Sequence, residues 1–122
     1  MSKHLEFRQT EMDLHLSGLH SVAALKRNVT IPYSSIQKVH VGSFSAPFWM
    51  LKMPGTSLPG FDVYEGGFRH NGEWYFLSYE HRGPHVIIEL KEHEHYHYVI
   101  FDIEHPDENV AEIIKHCPHL KL

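Results

Sequence analysis

The sequence predicts a mainly β domain of the α+β class, a succession of short strands closed by one C-terminal helix. Three observations predict it. Apolar and polar residues alternate at period two in several short runs between Leu5 and Ile103. Asn71-Gly72 separates two such runs, and this pair tolerates positive φ at both central positions of a tight hairpin. The strong helical periodicity comes last, with Val110, Ile113, Ile114 and Cys117 spaced i, i+3, i+4, i+7.

Taken in order, Leu5 and Phe7, then Met12, Leu14 and Leu16, predict a strand or pair of strands ending near Ser17-Gly18. Leu19 to Lys26 reads as a short helix, with Leu19, Val22 and Ala23 on one face, although eight residues also fit a distorted strand. Asn28 to Ile31 is a β-branched strand stopped at Pro32. From Ile36 to Phe44 the alternation of Ile36, Val39, Val41 and Phe44 is imperfect, which predicts a bulge. Pro47, Pro54, Gly55, Pro59 and Gly60 punctuate the next segment, so 45–60 reads as one long connection.

Phe61 to His70 and Glu73 to Tyr79 are the arms of the Asn-Gly hairpin. Gly66-Gly67 inside the first arm predicts a bulge, or bare backbone under a cross-strand aromatic such as Phe76. Arg82-Gly83-Pro84 turns the chain into the strand Val86 to Leu90, and Lys91 to Glu94 turns it again into a strand from Tyr96 to Ile103. The helix spans about 106–117. Pro106 suits its first position, Asp107, Glu108 and Glu112 lie towards its N-terminus, and Lys115 and His116 lie in its last turn, the charge order that complements the macrodipole. Pro118 stops it.

With 122 residues, one domain over 1–122 is expected, large enough to bury a core without disulfides or a structural metal. A formal net charge of −4 disfavours a global attraction to nucleic acid or an anionic membrane. A single cysteine, Cys117, fits a reducing cytoplasm, and Met1 to Leu14 lacks the apolar core of a secretory signal. A cytoplasmic location is therefore expected. Thirteen histidines are the compositional outlier, and their scatter from His4 to His119 is not that of a tag.

Ile31-Pro32-Tyr33-Ser34-Ser35-Ile36 leading to Val39, Pro54-Gly55-Thr56, Leu58-Pro59-Gly60, Gly66-Gly67-Phe68 before the hairpin, Val86 to Leu90, a tyrosine-rich strand and His105-Pro106-Asp107-Glu108 follow one another in an order that resembles the bacterial pleckstrin-homology-like domains. The resemblance covers most of the chain and includes no catalytic motif. It implies a barrel of about seven antiparallel strands in two near-orthogonal sheets, capped by the C-terminal helix. It also implies a binding or assembly role without supplying any functional residue. Phosphoinositide-binding relatives use a basic loop between the first two strands; here Lys26 and Arg27 are offset by Glu11 and Asp13, which argues against headgroup binding.

Two constellations carry chemistry. His93, His95 and His97 would share one face of an extended strand, and imidazoles suit zinc, copper or nickel. Alternate residues on a strand stand about 7 Å apart, so one ion would need a further ligand such as Glu80, His81 or His85. The bland reading is a solvated turn. Phe48, Trp49, Met50 and Leu51, beside Lys52, form an apolar segment in the long connection, suited to partner contact or a membrane interface, or else to covering the barrel end. No G-x-S-x-G elbow or phosphate loop occurs, Asp102 and Glu104 read as a solvated face, and Tyr75, Tyr79, Tyr96 and Tyr98 lack the basic groove of a nucleic-acid platform. The expectation is a non-enzymatic binding or assembly module with no cofactor, acting on a protein partner or a second copy of itself. Metal binding by the histidine cluster and peripheral membrane contact are the alternatives.

Overall fold

Strands in this chain divide between two sheets that share one core. A computed structural model of the protein describes residues 2–17, 27–43, 51–57, 64–70, 72–79 and 84–120. Among them, β1 (Ser2–Phe7), β2 (Glu11–Ser17) and β3 (Arg27–Pro32) form a three-stranded antiparallel sheet in sequence order. The second sheet has six strands: β4 (Ile36–Gly42), β5 (Leu51–Ser57), β6 (Tyr64–His70), β7 (Glu73–Tyr79), β8 (His85–Leu90) and β9 (Tyr98–Phe101), in the order β4-β8-β9-β7-β6-β5. Helix α1 (Pro106–Lys115) follows. The fold is thus mainly β with one C-terminal helix, as the alternation predicts.

The first sheet shows why that alternation was readable. Met12, Leu14, Leu16, Val29 and Ile31 are buried on one face, with Leu5 and Phe7 packed against them. His4, Glu6, Asp13, His15, Asn28 and Thr30 occupy the intervening positions and so the other face. The six-stranded sheet instead carries apolar residues on both faces. Phe76, Val86, Ile88, Leu90, Val99 and Phe101 join the main core, whereas Leu77, Tyr79 and Ile100 form a second cluster with Tyr75, Ile87 and Tyr98. Strand β9 lies between β7 and β8, and its Val99, Ile100 and Phe101 are all buried, hence the unbroken apolar run.

Several expectations need correction. Nine strands are described, more than the seven expected, and they are not all antiparallel: β9 pairs parallel with β7, Tyr75 opposite Tyr98 through Ser78 opposite Phe101. The segment 45–60 is not one connection, because β5 runs through Pro54-Gly55 and pairs with β6. Its ladder shifts register between Lys52 and Gly55, where Pro54 has no N–H to contribute. The last strand is shorter than 96–103. Residues 91–97 form an irregular connection instead, with Glu92 in the left-handed region at φ 54°. The short helix expected over Leu19 to Lys26 lies outside the described residues, as does Phe44.

Other elements follow the sequence closely. The bulge in β4 falls between Ile36 and Lys38. The hairpin closes with His70 opposite Glu73, and Gly72 sits at φ 80°, the left-handed region where a side chain is strained. Gly67 is registered opposite Phe76. In α1, Pro106 occupies the first turn with Asp107 and Glu108, and Lys115 the last. Val110, Ile113 and Cys117 are buried in the main core, and Ile114 packs against it. Asn109 donates from Nδ2 to the carbonyls of Glu104 (2.9 Å) and His105 (3.0 Å), securing the entry to the helix.

Two histidines fasten the chain end. His116 stacks between Phe7 and Tyr33, with ring centroids 4.9 and 5.0 Å away, and His119 Nε2 donates to the Ile36 carbonyl at 2.8 Å. Among the described residues no helix is long and apolar enough to cross a membrane.

Candidate functional site

The cleft of interest forms where the connection 91–97 crosses in front of β3. Both ends of that connection are tied by the backbone. Lys91 N–H donates to the Ser35 carbonyl (2.8 Å), Leu90 N–H to the His97 carbonyl (2.8 Å) and His97 N–H to the Trp74 carbonyl (2.9 Å). Trp74 returns a bond from its own N–H to His97 Nδ1 at 3.1 Å.

His93 organises the middle of the connection. Its Nδ1 accepts the backbone N–H groups of His95 (3.0 Å) and Tyr96 (3.1 Å), so that nitrogen carries no proton. Its Nε2 faces the Thr30 carbonyl at 3.0 Å and must be the donor. One imidazole therefore folds the turn and clips it to β3.

Between these parts lies a cavity of about 1010 Å³. Asn28, Val29, Thr30 and Pro32 of β3 and Glu11 of β2 line one side, and Glu92, His93, Glu94, His95 and Tyr96 the other. Trp74, Phe76 and Ser35 complete it. Phe76 is buried and meets Tyr96 edge-on at 5.5 Å, and Tyr96 stacks with His93 at 5.9 Å, so the inner wall is aromatic and built from core residues. The Arg69 guanidinium, opposite Trp74 in the β6–β7 register, stands 5.8 Å from the indole.

The charge of the cleft is one-sided. Three carboxylates, Glu11, Glu92 and Glu94, line it, with no lysine or arginine. Glu11 is engaged by Arg8 Nη2 at 3.0 Å, the hydrogen bond that contributes most to raising the Arg8 guanidinium above its ordinary pKa. Glu94 stands 3.7 Å from His95 Nε2. For Glu92 there is no ion pair among the described residues.

The three histidines singled out in the sequence are not collected at one point. They sit on an irregular connection rather than an extended strand, because the 91–97 backbone bends around His93. His93 has both ring nitrogens in use, His97 has Nδ1 in use, and His93 and His95 have ring centroids 6.2 Å apart. Phe48, Trp49 and Met50 lie outside the described residues. Leu51 opens β5, its backbone registered with Arg69.

Among the described residues the donors that do converge are those of Glu6, Asp13 and His15, on the polar face of the first sheet. All three already have protein partners. His15 reaches Glu6 Oε1 and Asn28 Oδ1, each at 2.7 Å, while Asp13 takes Arg8 Nη2 at 2.6 Å and the Thr30 hydroxyl at 2.7 Å. The His15 pKa is raised, first by the hydrogen bond to Glu6 and then by that to Asn28. The partners of the three are thus supplied by Arg8, Asn28 and Thr30 as well as by the Glu6–His15 contact.

Sequence reasoning reached one side of the cleft, His93 and His95, but not Glu11, Thr30, Trp74 or Glu92. The one local signal for Trp74 was a large aromatic next to the hairpin turn, where a sheet end is open to solvent. No family model matches this chain, and neither curated proteins nor solved structures gave a match.

Proposed function

We propose that this chain is a non-enzymatic binding module whose contact surface for a protein partner is the cleft between β3 and the connection 91–97. The supporting observation is the cavity of about 1010 Å³ with an aromatic inner wall and an acidic rim, at the upper end of the range for ligand sites. No described constellation there pairs a nucleophile with an oriented base. A barrel of pleckstrin-homology-like type is part of this reading, supported by the order of the sequence motifs and by the helix whose stripe joins the core. The parallel β7–β9 pair is a departure from an all-antiparallel barrel.

Self-association by strand pairing has less support at β3, since Pro32 offers no N–H and His93 occupies the Thr30 carbonyl. The test is a fragment screen read by NMR on labelled protein, with the Trp74 indole signal identified through Trp74→Phe. Fragments that shift Trp74 and the Tyr96 amide together are the expected result. A screen in which every hit maps elsewhere would overturn the assignment of the site.

A further inference from the structure

We infer that the occupant of this cleft is a basic segment of a partner polypeptide, one that places an arginine or lysine side chain between Trp74 and the carboxylates of Glu92 and Glu94. The inference rests on the reading of the cleft as the binding surface and adds the chemistry of what binds. Charge complementarity is the first argument. The lining holds three carboxylates and two histidines but no lysine or arginine, and the chain as a whole carries a net −4, so cations are drawn towards it and anions turned away.

The disposition of those carboxylates is the second argument. Glu11 is committed to Arg8, whereas Glu92 has no ion-pair partner among the described residues and Glu94, though 3.7 Å from His95 Nε2, keeps its side chain 84% exposed. Both are therefore available at the rim. Trp74 supplies the third: it lines the same cleft and offers an aromatic ring to a cation, sharing that indole with Arg69, whose guanidinium stands 5.8 Å from the ring centroid.

Size separates a polypeptide from a small free cation. A cavity of about 1010 Å³ is several times the volume of one ammonium or guanidinium group, so a lone cation would leave most of the aromatic wall wet. A segment several residues long would cover it while its basic side chain meets the rim.

The test is titration of the labelled protein with an acetylated, amidated peptide alternating arginine and glycine, alongside the same peptide with glutamate for arginine, and free arginine. The arginine peptide is expected to bind saturably, to shift the Trp74 indole signal and to weaken as salt is raised. Glu92→Gln and Glu94→Gln should each weaken it about two- to fivefold, the range for exposed charge pairs. Trp74→Leu, which keeps apolar bulk without the π face, should weaken it by a similar factor.

Binding of the glutamate peptide in preference to the arginine peptide would overturn the inference while leaving the cleft as the site. Free arginine binding as tightly as the peptide would replace the polypeptide with a small cation and so overturn it too. Arginine-peptide affinity unchanged in Trp74→Leu and in the Glu92→Gln, Glu94→Gln double variant would remove the cleft itself. Circular dichroism of each variant confirms that the fold is intact before binding is compared.

Discussion

The imidazole of His93 donates from Nε2 to the main-chain carbonyl of Thr30 at 3.0 Å, while its other nitrogen accepts two amides of its own turn. A single side chain thus couples the connection 91–97 to the edge of the first sheet. His93→Ala removes all three bonds; Thr30 and His95 are exposed and Tyr96 half-buried, so water replaces part of what is lost and the expected cost is roughly 0.5–1.5 kcal/mol. Urea denaturation should show that loss, and hydrogen exchange at the His95 and Tyr96 amides should quicken relative to the β8 amides. Unchanged protection at those two amides would mean that the backbone alone holds the turn.

His15 makes stability depend on pH. Its folded pKa lies above the ordinary 6.5, chiefly through Glu6. The folded state therefore favours the protonated ring. The contribution is complete below pH 6.5 and is lost as pH rises through the raised folded value. The stability difference between the wild-type protein and His15→Gln, followed by denaturation across that window, should shrink as pH rises. Glu6→Gln should remove most of the same dependence.

Lys3 and Asp102 form an ion pair joining β1 to the end of β9, with side chains only 6% and 15% exposed. Removing Lys3 takes a cation from beside a carboxylate that is largely out of water, so Lys3→Met should destabilise, by roughly 1–3 kcal/mol. The double variant Lys3→Met, Asp102→Leu should recover part of the loss, and calorimetry of the two variants shows how much of it comes from leaving Asp102 without Lys3.

Ile113 is fully buried and Ile114 only partly so. Ile113→Ala should cost about 2–5 kcal/mol through lost burial and the cavity left behind, and Ile114→Ala distinctly less. Cys117 reports the same packing: burial raises its thiol pKa, so a thiol reagent should label native protein slowly and Ile113→Ala protein faster.

At Gly72 a methyl group would meet no atom within 4 Å, so space does not oppose Gly72→Ala. The positive φ does. A loss of about 1 kcal/mol is expected, with unchanged chemical shifts beyond the hairpin.

What the sequence by itself determined is whatever local periodicity encodes. The inward residues Met12, Leu14, Val29 and Ile31, the Asn-Gly hairpin, the β4 bulge and the Val110, Ile113, Ile114, Cys117 stripe were all legible, because each depends on neighbours a few residues away. Proline and glycine misled at β5, where pairing with β6 outweighs Pro54 and the ladder adjusts by shifting register. His93-x-His95-x-His97 looked like a strand face because spacing cannot reveal that His93 would turn back to bind its own backbone.

Only the tertiary structure decided which strands are neighbours. The insertion of β9 between β7 and β8, parallel to the former, joins segments with no shared local pattern. The cleft has the same origin. Thr30 and His93 are 63 positions apart, and Trp74 and His97 are 23 apart, so the first meeting is set by the connection 91–97 lying against β3 and the second by the β7–β9 pairing, not by any motif along the chain.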